Sequence, residues 1–346
     1  MPMEKIHNCI SKCVHFLKNQ KNRLIRKEIV RRNIKYYVGP FKIWSGSLLK
    51  KMFKEHYEII KNHDFICLLN SNLGEAFLFF KFFLPGIEQA NLKAKKRTLI
   101  LTTNSAHIEL AQALGITNIF CISDFSADNY DTFFKYRGKE FLVVFNHEHY
   151  VTTESEIRSS NAHFFKKMEQ TLNTKPATFE FRRVKIKEEI KQSTYRKATE
   201  IGLQLDNFVM IIPHANSCYD LDKSLMHELV GRAISNGLHV FINTWEPYKG
   251  NDPMIHVSYD FTLQELFVLA QHAREIYAIR CGLIEFLSDT QTPMTVISER
   301  FKNRAPWEPV TEENVLSGFN FHSISPEYSF VKEITQSEFK DEITNK

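Results

Sequence analysis

The sequence predicts two doubly wound α/β domains, each built on a parallel sheet, and three observations carry that expectation. Short, nearly continuous apolar runs alternate with amphipathic segments, as buried parallel strands alternate with covering helices. The alternation runs through residues 64–145, lapses in a polar, charged stretch at 154–197, and restarts at Asn207. The chain has 346 residues, enough for two domains of the usual roughly 100–200 residues, each with its own core.

Taken in order, Lys5 to Arg32 reads as helical, followed by a polar-aromatic link through Tyr36, Gly39 and Pro40. Leu48 to Lys61 reads as another helix. Asp64 to Leu69 is an apolar strand that runs into the turn Asn70-Ser71-Asn72-Leu73-Gly74, and Glu75 to Leu84 is an apolar helix. Arg97–Thr103 is a strand, and Ala106–Leu114 is a helix closed by Gly115. Asn118–Ile122 and Glu140–Phe145 are further strands. In the second half, Asn207–Ile212 is a strand ending in the turn Pro213-His214-Ala215-Asn216-Ser217. A helix over Leu225–Ser235 stops at Asn236-Gly237, and strands follow at Leu238–Asn243 and Met254–Val257. Thr262–His272 is an amphipathic helix, Glu275–Ile279 a strand, Leu283–Ser288 a helix, and Pro293–Ser298 the last strand. The division falls at 197/198. Residues 1–197 form a first domain with extra N-terminal helices; residues 198–346 form a second, whose last helix is a candidate to pack back on the first.

Composition narrows the class. Hydrophobic residues make up 43% and charged ones 25%, a globular balance, and 29 phenylalanines predict aromatic-rich cores. The net charge of +5 and pI near 8.7 are too mild for a nucleic-acid binder, and the aromatics lie in core-like runs rather than between surface Lys and Arg. Much of the excess charge lies between Lys5 and Lys35. That stretch reads either as a solvated helix face or as a surface that rests on anionic lipid. With no apolar run near the ~20 residues of a spanning helix and no signal-peptide core, the expected location is cytoplasmic, with peripheral contact on the inner face of the inner membrane as the lipid-binding alternative. The six cysteines form no CxxC pair and read as reduced thiols. The group His7, Cys9, Cys13 and His15 fits an amphipathic helix better than a zinc site, and no metal or other cofactor is expected.

Neither GxGxxG nor GxxxxGK[ST] occurs. Ligands of a doubly wound sheet lie beyond the carboxyl ends of its strands, where helices begin. That rule selects the turns Asn70–Glu75, Pro213–Ser217, Asn243–Trp245 and Arg280–Glu285. Gly282 would let backbone approach a ligand, Arg280 would meet a diphosphate, and Glu285 would accept from ribose hydroxyls. Alternatively these are a helix start and a surface ion pair. Glu75 is a base at the cleft or a first-turn acid complementing its helix; Asn216 and Ser217 are ligand contacts or caps. His214 is a phosphate contact or a tucked turn histidine. Thr244 precedes Trp245, which stacks a base or packs inward with Glu246 beside it. Asp220 and Asp222 mimic a metal-binding DxD. His107, beside Thr102 and Thr103, and His147 and His149 would lie on the acceptor side with Asn72 and Gly74.

The stretch from Thr262 to Leu287, which contains Leu263-Gln264-Glu265-Leu266 and Arg280-Cys281-Gly282-Leu283-Ile284-Glu285, resembles the C-terminal half of the heptosyltransferase-like glycosyltransferases (family 9), as does Thr292-Pro293 with its strand. Pro213-His214-Ala215-Asn216-Ser217 resembles that family's Pro-Gly-Ala-Ser turn, and Asn72-Leu73-Gly74-Glu75 its Gly-Asp turn. The resemblance covers residues 64–300 loosely. In its C-terminal motif the family's Asp, Ser/Thr and His are here Arg280, Cys281 and Glu285, which leaves the donor open.

The resemblance implies the GT-B fold, two Rossmann-like domains facing across a cleft, with Glu75 as the catalytic base. The donor-binding set is then Pro213, His214, Asn216, Ser217, Thr244, Trp245, Arg280, Cys281, Gly282, Leu283 and Glu285. The implied activity is metal-independent, inverting transfer from a nucleotide sugar to a bacterial lipopolysaccharide, capsule or other glycan or lipid-linked acceptor. The alternatives are a non-catalytic nucleotide-sugar-binding partner or another GT-B enzyme, an epimerase or a pyruvyl transferase.

Overall fold

A computed structural model describes residues 46–122, 132–145, 181–216, 218–300, 302, 321 and 328–344. The N-terminal basic stretch, with His7, Cys9, Cys13 and His15, lies outside the described residues, as do His147, His149 and Ser217.

The first sheet begins where five consecutive apolar residues, Phe65 to Leu69, are all buried in β1 (Phe65–Asn70). Two helices precede it, α1 (Gly46–Glu55) and α2 (Tyr57–Ile60). After β1 the chain is continuously helical through α3 (Leu73–Leu78), a π-helical turn (Phe79–Phe83) and α4 (Leu84–Lys93). Proline explains the wide turn. Pro85 has no N–H to donate, and its ring crowds the carbonyl four residues back, that of Lys81; widening the helix there relieves both. Then come β2 (Thr98–Thr102), α5 (Ala106–Ala113), β3 (Ile119–Cys121), β4 (Thr132–Tyr136) and β5 (Lys139–Phe145). The order is β3-β2-β1-β5-β4, parallel except for the β4–β5 hairpin. That hairpin was not expected. Its turn is Arg137-Gly138, both at positive φ (49° and 77°), and an arginine in a position that favours Asn or Gly conceals the usual turn signal.

The second sheet has six parallel strands in the order β11-β10-β9-β6-β7-β8. It comprises β6 (Phe208–Ile212), α7 (Lys223–Ser235), β7 (His239–Asn243), β8 (Ile255–Ser258), α8 (Leu263–His272), β9 (Glu275–Ile279), α9 (Gly282–Leu287), a 3₁₀ turn (Ser288–Thr290), β10 (Met294–Ser298), β11 (Val331–Thr335) and α10 (Gln336–Thr344). Pro293–Ser298 is therefore not the last strand. β11 sits at the sheet edge with Lys332 exposed, so its sequence lacks the apolar run of a central strand. Nor does the last helix return to the first half: Phe339 and Ile343 of α10 pack with Leu229 and Ala233 of α7.

α6 (Glu188–Glu200) precedes β6 and belongs with the second sheet. Ser193 and Lys197 both donate to Glu265 of α8, at 3.0 and 2.7 Å, and the Tyr195 ring meets His272 edge-on. The expected division at 197/198 cuts through this helix, and the packing moves it ahead of Glu188.

Strand alternation divides the second sheet between two cores. Val209, Ile211, Val240 and Ile242 face α7 and α10. Phe208, Met210, Phe241, Ile276 and Val296 face the other way, into one apolar cluster that continues through Phe267 and Phe286 to Phe77, Leu69 and Ile100 of the first half. The halves thus share a core, with Phe77 edge-on to Phe286 at 5.9 Å. α5 and α8 add polar stitches: Leu263 N–H donates to the Glu109 carboxylate (3.1 Å) and Gln264 to its carbonyl (3.0 Å). The two halves touch along α3 and α9. No helix among the described residues is long and apolar enough to cross a membrane.

At the centre of this joint two glycines meet. A Cβ on Gly282 would lie 2.8 Å from the Gly74 nitrogen, and one on Gly74 would lie 2.9 Å from the Glu285 carboxylate. Backbone cannot retreat as a flexible side chain can. Gly282→Ala should lower stability by about 1–3 kcal/mol, the usual cost of overpacking, read by urea unfolding. Wild-type stability in that variant would mean that the joint yields.

Candidate functional site

Topology selects the site. The chain runs β6, β7, β8 to one side of β6 and returns to β9 on the other, so the order reverses between β6 and β9. In the first sheet it reverses between β1 and β5. Ligands of such sheets lie outside the carboxyl ends of the strands at these reversals. The turns concerned are Ser71–Gly74, Pro213–Asn216 and Arg280–Gly282, and the structure brings the first and third into contact.

Arg280 and Glu285 form an ion pair at 2.5 Å, with 8% and 5% of their side chains exposed. The guanidinium also lies 5.2 Å above the Phe321 ring. The other carboxylate oxygen, Oε2, is buried with no hydrogen-bond partner among the described residues and lies against Gly74. Arg280 is engaged by Glu285, and the pair is buried rather than the surface pair that the sequence offered as one alternative. Gly282 does permit a close approach, but of Gly74. Cys281 keeps some surface, yet burial pushes its thiol up to about 11, so it is no nucleophile at neutral pH. Leu283 packs against the shared core.

Glu75 lies in the first turn of α3, partly exposed, after the N-cap Asn72. His107 does not line the joint: it is completely buried beneath the Ser71–Asn72 turn. Its Nδ1 is 2.7 Å from the Thr102 hydroxyl, which also accepts from Asn104 N–H, while Nε2 lies under the turn without a well-formed hydrogen bond. Burial, partly offset by the Asn72 and Ser71 backbone, lowers the His107 pKa to about 4.

The exposed part of the site lies at the ends of β6 and β7. Trp245 is 58% exposed and stacks on His214 with ring centroids 4.4 Å apart and planes 22° apart. Tyr259, just beyond β8, meets the indole edge-on at 5.2 Å. The inward-packed alternative for Trp245 is therefore excluded. His214 Nε2 is 2.6 Å from the Thr244 hydroxyl, and Nδ1 faces the Asp220 carboxylate at 3.3 Å. Lys302 clamps that carboxylate (2.7 Å) and the Ala215 carbonyl (2.9 Å). Burial alone would raise the Asp220 pKa; Lys302 and His214 outweigh it and hold the carboxyl below its usual range. Asp222 instead caps α7, accepting from the Ser224 and Leu225 N–H groups, so Asn216, exposed in the turn before it, is not the cap. Beside this cluster lies a cavity of about 220 Å³. Pro213, His214 and Thr244 line it, as do the paired Lys223 and Glu246 (3.4 Å) and the contacting His227 and Tyr248 (2.7 Å).

Sequence reasoning missed Tyr259, Lys302 and Phe321. A large aromatic directly after β8 was a usable signal for Tyr259. Nothing local marked Lys302 or Phe321, which reach the site from distant segments.

No protein-family model matches the chain, and no curated protein matches it. Among solved structures it is similar to a glycosyl transferase family 9 protein from Veillonella parvula, at 10% identity and a TM-score of 0.49, over 82% of this chain and 89% of that one. It is also similar to the E. coli ADP-heptose lps heptosyltransferase II (9%, TM-score 0.44, 82% and 97%). A third is the iron-containing dodecameric glycosyltransferase TibC of enterotoxigenic E. coli (14%, TM-score 0.43, 71% and 62%). This chain spans less than two thirds of the TibC chain.

Two outcomes follow from these environments. A histidine neutral in the fold with a pKa near 4, against the usual 6.5, binds fewer protons folded than unfolded between those values. Its contribution is complete above the unfolded value and is lost as pH falls toward 4. Between pH 7 and 5 it should account for about 2 kcal/mol of lost stability, absent in His107→Gln, when urea midpoints of the two proteins are compared. Arg280→Ala leaves Glu285 buried without its cation and should cost about 3–5 kcal/mol, whereas the apolar pair Arg280→Met with Glu285→Leu should stay near wild type. Equal losses in both variants would contradict the ion-pair account.

Proposed function

We propose that the chain is a glycosyltransferase that holds a nucleotide-activated donor at the carboxyl ends of β6 and β7. The observation that carries this reading is Trp245, an exposed indole backed by His214 at the sheet end where ligands of this architecture bind. An aromatic fixed in place and open to solvent is suited to stacking a nucleobase or sugar ring. Beside it, Thr244, His214 and the Pro213–Asn216 turn offer polar contacts, and the adjoining cavity of about 220 Å³ has room for part of a ligand.

In this reading Glu75, from the first half, takes the proton of the acceptor hydroxyl as it attacks the anomeric carbon, and the nucleoside diphosphate leaves with the glycosidic electron pair. Inversion is proposed from the sequence resemblance alone. The Asp220–Asp222 pair is not assigned a metal, because Asp220 is clamped by Lys302 and Asp222 caps α7; metal-independent transfer is part of the proposal. A glycan or lipid-linked acceptor, a cytoplasmic location and contact of the basic N-terminal stretch with the membrane surface complete it. Lipopolysaccharide or capsule assembly is the proposed setting.

A ligand that binds only the folded state raises its melting temperature. In a panel of ADP-, UDP-, GDP-, dTDP- and CMP-linked sugars, one nucleotide class should stabilise the native chain. Trp245→Ala should abolish most of that shift while melting near the wild-type temperature on its own. Stabilisation that survives the substitution would move the donor elsewhere; no stabilisation by any member would remove the transferase reading.

A further inference from the structure

Lys81 and Asp289 lie 2.7 Å apart, each with 2% of its side chain exposed. The ammonium is ringed by Phe77, Phe82 and Tyr328, with their ring centroids 5.3–5.5 Å from Nζ. Lys81 belongs to the first half, in the middle of the π turn; Asp289 belongs to the second, in the 3₁₀ turn after α9. The chain's passage between halves is fastened at the same point. Val184 N–H donates to the other Asp289 oxygen (2.9 Å), Arg183 lies 3.9 Å from the carboxylate, and Arg182 N–H reaches the Lys81 carbonyl (3.4 Å).

We propose that Lys81 and Asp289 are positioning residues, which set the rotation and register of the helix starting at Leu73 and thereby aim Glu75 at the acceptor hydroxyl. This rests on the transferase reading. Neither residue touches the proposed substrates. Charges so completely desolvated are a poor means of adding stability, and an apolar pair would suit the aromatic surroundings. What an ion pair with a fixed partner adds is a single geometry. The π turn makes that geometry matter. One extra residue in a helical turn rotates one side of the helix against the other by about 100°, and Glu75 lies six positions before Lys81, across that turn and partly exposed in the first turn of α3. Pro85 widens the turn, and an apolar side chain at 81 would leave the extra residue free to shift along the helix. The ion pair does not, because Asp289 is itself held by Val184.

The test uses Lys81→Met with Asp289→Asn, which removes both charges and retains an acceptor for Val184 N–H. The full-length double variant should fold, melt close to the wild-type temperature, and keep the shift given by whichever nucleotide sugar stabilises the wild type. Release of nucleoside diphosphate from that sugar should fall on the order of tenfold to a hundredfold in kcat, with the donor KM unchanged. Amide exchange over residues 76–83 should accelerate. A folded double variant with wild-type kcat overturns the proposal. If the wild type releases no nucleotide, the transferase reading fails by itself and exchange decides the register claim: unchanged protection of 76–83 overturns it, faster exchange supports it.

Discussion

Close packing between two backbones governs this molecule. Where α3 meets α9, Gly282 lies so close to the Gly74 nitrogen that it has no room for a methyl group, and Gly74 in turn lies against the Glu285 carboxylate. Around that contact Phe77 and Phe286 interlock, and the inner faces of both sheets drain into one apolar cluster. The direction of every element that leads to the joint follows from it. α3 leaves β1 toward the second sheet, α9 leaves β9 toward the first, and the turns that begin them face each other. Interiors packed to crystal-like density transmit such constraints over several residues. The Arg280–Glu285 pair belongs to the same arrangement, since only a side chain pressed against Gly74 can fill the space that the missing Cβ leaves.

Charge is distributed accordingly. Among the described residues two ion pairs are enclosed, Arg280 with Glu285 inside the second half and Lys81 with Asp289 across the halves. In a low-dielectric interior each is specific about geometry rather than generous in net stability. At the ends of β6 and β7, by contrast, His214, Asp220, Lys302 and Trp245 gather with part of their surface open. The molecule separates groups that define its shape from groups that can meet a ligand. The motif that looks most like a ligand turn, Arg280-Cys281-Gly282, also packs against the other half.

The strands legible in the sequence were those that form short, largely apolar runs. β1, β2, β3, β5, β6, β7, β8, β9 and β10 were placed within a residue or two. β4 and β11 were not, because an edge strand need not be apolar throughout and the Arg137-Gly138 turn lacks its customary residues. The site was legible in outline only. Strand-end turns are local features, so Pro213–Asn216 and Trp245 could be named. Whether a charged side chain is free or paired is decided by residues far along the chain. Arg280 is adjacent in sequence to a glycine turn that suggests phosphate, and its orientation is set by Glu285 and Phe321. His107 looked like a cleft residue because β2 ends nearby, but α5 turns it inward beneath the Ser71–Asn72 backbone.

The shared core has a consequence for how such a protein can vary. Two α/β units joined only by a linker could each be exchanged for a relative's without disturbing the other. Here Phe77, Phe267 and Phe286 belong to a cluster that neither unit encloses by itself, and each would present a broad apolar face if separated. The inheritable unit is therefore the whole pair of sheets. Under the proposed function, change in what the protein recognises would come through the turns at the strand ends, residue by residue, while the seam between the halves stays as it is.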